Sequence, residues 1–405
     1  MFNYQNPTRA EREQIITAAV SLFRQRFYDP KLNGFDLDGE LQNQMGSLLE
    51  TPAFPAAMKE FFRACGSRPI DFFYESERRV SLGKLLKATF FKSENAEHVF
   101  QDVLIGGRAE EAGIVSGDVL ASVNDGPPLE SLDVLASQPF RFSVRRIDGT
   151  KKTIEFPAPA TWRLRNEKNV AFRDLGDGVG YIRIASWPGI LGLDVARETD
   201  EAIKKLKAKR LLVDLRGNLG SAGAGNLRLM SYLTPQKIPV GYSLTRKRAE
   251  AGYDRDCLAR FERIPRSKLE APFVLWRFRK VDKSIVVVTE GIKPQAFQAN
   301  ITLLVNSHTI SGAEIVVQFA KQHGLAKIVG ETTAGKSLSF ATLQLPCDFR
   351  LTLPIGDYIP WRGERFEGSG VEPDTHVPFC MPLRSGDDHQ LNDAANLANS
   401  CAAGT

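Results

Sequence analysis

Apolar and polar positions change period several times along the chain, and the changes mark out its elements. Residues 179–185 alternate as a half-buried strand, 194–206 carry apolar residues at helical spacing, and 210–215 form a continuous apolar run. The pattern repeats further on: 302–305 reads as a buried β-branched strand, 315–319 as helix, and 327–330 as a second strand. Strand, helix and strand within about thirty residues make a βαβ crossover, so the two strands are parallel and leave the sheet at one edge. The first 75 residues read as helices. Thr8 with Glu11 is a capping-box signature, Asp29-Pro30 stops the first helix, Asn33-Gly34 turns, Asp38 can cap a second helix, and 56–65 suggests a third. From about 77 to 157 short strands and turns take over, with an alternating strand at 119–123 after a Ser116-Gly117-Asp118 turn. Strands are expected again at 343–345 and 349–353, around Pro346 and Asp348.

A chain of 405 residues is long for one ordinary domain. The pattern divides it into a helical region at 1–75, a β domain at 76–158 ending at the Pro157-Ala158-Pro159 linker, an α/β core at 159–384, and a peripheral tail at 385–405. Within the core, 236–298 reads as an insertion or lid-like segment. Its arginines and lysines, among them Arg277 and Arg279, are by default a solvated face.

Composition adds little and excludes some classes. With 42% hydrophobic and 25% charged residues the chain can bury a sizeable core, and a net charge of +5 gives no argument for nucleic acid. Five cysteines, odd in number and widely spaced, form neither a zinc pattern nor a disulfide framework, so buried or idle thiols are expected. No metal and no cofactor is implied. Nothing reads as an integral membrane segment or a signal peptide, which points to a cytoplasmic protein or to one whose leader has been removed.

The chemistry concentrates in NSHTISGAEIVVQFAKQHGLAKIVGETTAGK, residues 306–336. Ser311 follows the first strand exit and Lys336 the second, so residues 25 positions apart can meet in one crevice at the sheet edge. A serine hydroxyl needs a base, and a neutral lysine can serve if burial brings its pKa down from about 10.4. Leu338 and Phe340 are candidates for that apolar wall. The N–H groups of Ser311 and Gly312, at a helix start, can hold an oxyanion. A blander reading makes Ser311 or Thr309 a helix cap and Lys336 a solvated turn lysine.

These residues also resemble those of the carboxyl-terminal processing, or tail-specific, serine proteases, which carry a PDZ domain. NSHTISGAE is similar to the family's nucleophile segment and GETTAGK to its lysine loop. DLRGNLGS at 214–221 resembles its glycine-rich turn, GSGVEPD at 368–374 its closing phrase, and YDPKLNGFD at 28–36 a phrase of its helical amino-terminal region. GGRAEEAGIVSGDVLASVN at 106–124 closely resembles the second half of a PDZ domain. The resemblance implies a multidomain α/β protein: a helical region, a PDZ-like β domain and a crotonase/Clp-protease-like α/β core. It implies Ser311 as nucleophile, Lys336 as general base, and oxyanion donors from Gly312 and the Gly220 to Ser221 segment. Ser81, Leu82 and Gly83 resemble the PDZ loop that takes a peptide carboxylate, and the implied partners are polypeptides with C-terminal or unfolded segments, with oligomers allowed.

Three positions depart from the family. A glutamine four residues beyond the lysine is replaced by Phe340, an aspartate eleven beyond the serine by Gln322, and the second glycine of the turn by Ser221. His308 is an alternative base that the geometry of a strand-to-helix turn disfavours, and Glu314 reads as a residue stabilising the helix start. The rival to a serine endopeptidase acting through an acyl-enzyme is a peptide-binding protein that keeps the fold without turnover.

Overall fold

In the computed structural model, which describes residues 6–64, 70–162, 167–188, 192–220, 223–280, 284–291, 300–380 and 388–400, the 306–336 segment folds as its period predicts. Strands Ile301–Val305 and Lys327–Gly330 pair in parallel, and the helix Gly312–His323 crosses between them. Strands Arg210–Asp214 and Val179–Ile184 continue the parallel array, with Val170–Asp174 antiparallel at one edge and Thr375–His376 at the other. All five residues of Ile301–Val305 are buried because both faces of the sheet are covered. Ile182, Ile184, Leu211, Val213, Leu303 and Val305 meet the helices Leu193–Leu206, Ala224–Leu233 and Gly312–His323 on one face. Tyr181, Leu212, Leu304 and Val329 point to the other face. The parallel strands therefore discharge their loops at a single edge.

That second face is where the tail belongs. The 385–405 segment, expected at the periphery, contains the helix His389–Ser400, whose Leu391 and Ala394 pack on Leu212, Leu304 and Val329. Its tether is electrostatic. Buried Asp214 receives the Tyr181 hydroxyl at 2.8 Å and the Arg216 guanidinium at 3.0 and 2.7 Å, and Arg216 reaches Asp388 at 2.7 and 2.6 Å. Burial by itself raises the Asp214 carboxyl, but Arg216 and then Arg183 more than offset it and hold it at about 2. Asp388 is likewise held low by Arg216 against its own burial.

Both groups thus titrate below their unfolded value of about 3.9, so their contribution is complete above that pH and is lost as pH falls through the folded value. Thermal stability should be level near neutrality and fall between about pH 4 and pH 2, by on the order of 2 kcal/mol. Arg216→Met should cost about 3–5 kcal/mol at neutral pH by stranding a buried carboxylate. It should also flatten the acid slope, because Arg183 alone then opposes the burial that raises Asp214; an unchanged slope in pH-resolved melting would count against this account.

A second sheet stands beside the first. Its long strand Phe349–Pro360 pairs with Asp71–Tyr74, Ser339–Gln344 and Pro239–Thr245, and Val286–Val288 and Arg260–Phe261 extend it. The described residues of 236–298 therefore supply three strands of this sheet, their main-chain pairing being invisible to a reading of charge. The helices Arg9–Arg26, Leu37–Glu50 and Phe54–Arg63 cover the sheet, with Ile15, Phe23 and Phe62 in one core with Phe72, Phe349 and Leu351. Thr8 and Glu11 form the expected capping box. The second helix is capped by Asp36, whose carboxylate takes the Gly39 N–H at 3.0 Å, while Asp38 lies in the first turn and pairs with Arg24.

Residues 79–156 form a separate β unit. Its five strands run Ala88–Lys92, His98–Val103, Val119–Val123, Phe140–Arg145 and Lys151–Phe156 in sheet order, with short helices Leu82–Leu86 and Arg108–Glu111. The unit docks on the core through Asp102, a buried carboxylate that takes the Asn306 amide at 2.9 Å and Arg183 at 3.2 Å. Cys257, Cys347 and Cys380 are free and exposed, idle rather than buried thiols.

Candidate active site

Ser311 sits where the chain leaves Ile301–Val305 and turns into its helix, at φ 55° and ψ −115°. A serine held in so sparsely populated a region needs over-determined surroundings, and they are present. Asn306 accepts the Gly217 and His308 N–H groups at 2.9 and 3.1 Å, and Thr309 Oγ1 receives the Asn306 N–H at 3.0 Å while donating to the Leu215 carbonyl at 2.9 Å. Thr309 is thus a brace between two loops and not a helix cap. Ser311 stands at the N-cap position with its N–H taken by Glu314, but its backbone is far from the extended conformation of capping residues.

The lysine loop is built from backbone N–H groups collected by two carboxylates. Glu314, with no exposed surface, takes the Thr333 hydroxyl at 2.6 Å and the Gly335 N–H at 2.6 Å on Oε1, and the Ser311 and Lys336 N–H groups at 3.0 and 2.8 Å on Oε2. Glu367 takes the next two, Ser337 at 2.5 Å and Leu338 at 3.2 Å. One oxygen therefore joins the backbones of Ser311 and Lys336, across 22 residues of sequence in the lysine's case. The closing phrase supports the loop from outside: Gly368 donates to the Gly335 carbonyl at 2.9 Å, and Val371 to Thr333 Oγ1 at 2.8 Å. A side chain at 335 would stand 2.7 Å from the Gly370 nitrogen, so only glycine fits.

Burial raises the Glu314 carboxyl above its usual range, opposed by hydrogen bonds from Thr333, Lys336 and Gly335. Burial lowers His308, partly countered by Asp102, and the nearby Lys336 lowers it further. Lys336 itself is exposed, Leu338 is half-buried and Phe340 is 42% exposed. The apolar wall expected around the amine is therefore absent in this conformation.

Of the expected oxyanion donors, Gly312 is buried and its N–H has no partner among the described residues. The Gly220 N–H is taken by Asn218 Oδ1 at 2.9 Å, and Ser221 lies outside the described residues. Gly220, at φ 74°, is packed on the nucleophile: a Cβ there would lie 2.8 Å from Ser311 Cβ and 3.0 Å from the Ile310 carbonyl. Gly220→Ala should displace Ser311 and lower turnover about 10²-fold while the protein stays folded, checked by kcat beside a melting curve.

Ser81, Leu82 and Gly83 are not brought near this edge as an open loop. Ser81 ends the strand Arg79–Ser81, Leu82 and Gly83 begin the helix Leu82–Leu86, Leu82 is fully buried, and its N–H donates to the Leu132 carbonyl at 2.8 Å. The local reason is that Leu82 and Leu86 both join the apolar core of the β unit, which a carboxylate loop could not do. Gln322 packs against Gly363 and leaves the site. Glu367 and Asp102 were not singled out from sequence, since nothing local distinguishes them from ordinary acidic residues.

The α/β core sets a strained serine turn beside a braced lysine loop. Residues 178–377 match Peptidase family S41, and it is to this family that the core belongs. The chain is 22% identical over 376 residues to the carboxyl-terminal-processing protease of Picosynechococcus sp., covering 88% of this chain and 77% of that protein. It is 22% identical over 294 residues to the chloroplastic carboxyl-terminal-processing peptidase 1 of Arabidopsis thaliana, covering 67% and 50%. Among solved structures it is similar to the photosystem II D1 C-terminal processing protease, with a TM-score of 0.58 at 15% identity over 91% of this chain and 93% of that one. Mature CPAF superposes with a TM-score of 0.53 at 17% identity over 97% and 96%. These structures share the mixed α/β multidomain fold.

Proposed function

We propose that this protein is a serine endopeptidase that cleaves C-terminal or unfolded segments of polypeptides through an acyl-enzyme on Ser311, with Lys336 as general base. The observation that carries the reading is the buried Glu314 oxygen that receives both the Ser311 and the Lys336 N–H. It starts both side chains from one point of the crevice. Lys336 takes the Ser311 proton as Oγ attacks the scissile carbonyl, and the lysine then gives that proton to the leaving amine. The Gly312 N–H and a donor from the 220–221 turn receive the oxyanion; Gly220 must first release Asn218, so the site tightens on substrate. A polypeptide lying over the crevice supplies the apolar cover that Lys336 lacks in the free protein.

The β unit is assigned as a PDZ-like domain. Ala88–Lys92 is an edge strand of its sheet, and its Phe90 backbone hydrogen-bonds His308 near the lysine loop, so a peptide strand adding to this edge displaces that contact. His308 then reports the docking of Ala88–Lys92 on the core and is not the base.

The test is covalent labelling with a serine-directed acylating probe, followed by fragment mass spectrometry. Modification is expected at Ser311, absent from Ser311→Ala and slowed in Lys336→Ala. Labelling at another serine, or none under conditions where an unstructured protein is cleaved, would overturn the assignment.

A further inference from the structure

The helix Ala271–Lys280 carries two apolar stripes, and among the described residues only one of them has a protein partner. Ala271 and Val274 are buried, and Phe278 packs on Phe261 with ring centroids 5.9 Å apart, which seats the helix on the core. The opposite stripe runs Leu269, Phe273, Trp276, the i, i+4, i+7 spacing of one helical face continued from the preceding 3₁₀ turn Lys268–Glu270. These three are 91%, 64% and 54% exposed, and the Phe273 and Trp276 rings stack at 5.9 Å. Scattered exposed apolar residues need no explanation, but an aromatic row on an outward helical face does.

Charge indicates what covers it. At 100° per residue Arg277 and Arg279 fall on either side of the row, and Lys280 continues it, with its ammonium 5.3 Å from the Trp276 ring. Arg277 and Arg279 have no carboxylate partner among the described residues, whereas Lys268 is already paired with Asp194 and Arg263 with Glu270. Aromatic and aliphatic side chains level with unpaired cations match the boundary between anionic headgroups and acyl chains, where tryptophan is favoured and each cation adds to binding. Among the described residues no helix is long and apolar enough to cross a membrane, so this one would lie in the interface plane.

We propose that Ala271–Lys280, with Leu269, docks the protein on an anionic membrane surface. The contact is independent of the dyad. A patch for a second copy of this chain would carry compensating acids within the same surface, and a solvated basic face would not present stacked aromatic rings to water.

The full-length protein, with vesicles of phosphatidylglycerol and phosphatidylcholine, tests this by co-sedimentation at low and high salt. Binding is expected to the mixed vesicles and not to phosphatidylcholine alone, with weakening by salt. Arg277→Gln with Arg279→Gln, and separately Phe273→Ser with Trp276→Ser, should each reduce partitioning about tenfold or more. Their melting and turnover of a dissolved peptide should match the parent, which separates lost docking from lost folding and from any failure of the peptidase reading. Equal binding to neutral vesicles, no binding, or parent-like binding by both double variants overturns the proposal. So does a dimer, seen by sedimentation velocity without vesicles, that the aromatic variant dissociates.

Discussion

Lys336→Ala is expected to lower kcat/KM on an unstructured polypeptide by roughly 10³-fold or more, about 4 kcal/mol of transition-state stabilisation. Ser311→Ala should do at least as much, and the double variant should be hardly worse than either single one. Residues that act as one unit lose their whole effect when either is removed, since a serine without its base and a base without its serine catalyse nothing in common. The measurement is single-turnover cleavage by the parent and the three variants. Strictly multiplicative losses would mean that the two side chains act separately. Retained cleavage in Lys336→Ala would transfer the role of base elsewhere, with His308 as the neighbour to test next.

Glu314→Ala should be nearly as damaging by a different route. The carboxylate has no exposed surface and serves four donors at 2.6 to 3.0 Å, so its removal leaves the Ser311, Gly335 and Lys336 N–H groups and the Thr333 hydroxyl unpaired. Several such losses together should cost about 3–5 kcal/mol of stability. Release of the lysine loop from the serine turn should also lower kcat about 10²-fold or more with a smaller change in KM, because position and not substrate contact is what is lost. Glu314→Gln separates the two effects. It preserves shape and one accepting oxygen but in either orientation opposes an amide N–H₂ to at least one backbone N–H, so it should fold better than the alanine variant and still turn over slowly. Equal kcat in Glu314→Gln and parent would show that the carboxylate only supports the fold.

Much of the core was legible from period alone, since strand and helix spacing are local properties of the chain. The parallel pair around Ser311 and Lys336 follows from a strand-helix-strand unit of this length, and the capping box at Thr8 and Glu11 spans three residues. The same locality explains the errors. Asp36 and Asp38 are both acceptable caps two positions apart, and only the direction of approach of the chain selects Asp36. The basic residues of 236–298 suggested a solvated insertion because their charge is local, while the strand Pro239–Thr245 beside them finds its partner more than a hundred residues away in Phe349–Pro360.

By itself, then, the amino-acid order determined the βαβ unit, the glycine-rich turn and the types of side chain at the sheet edge. Tertiary structure decided what holds them. Arg216 meets Asp388 across 172 positions and turns an expected tail into part of the core, and Glu367 reaches back 30 positions to the loop of Lys336. It also decided that Lys336 stands exposed and that the Gly220 N–H is already occupied. The reason is one of range: periodicity reports how a segment meets its immediate neighbours, whereas a buried charge is stabilised by whichever donors the completed fold brings to it.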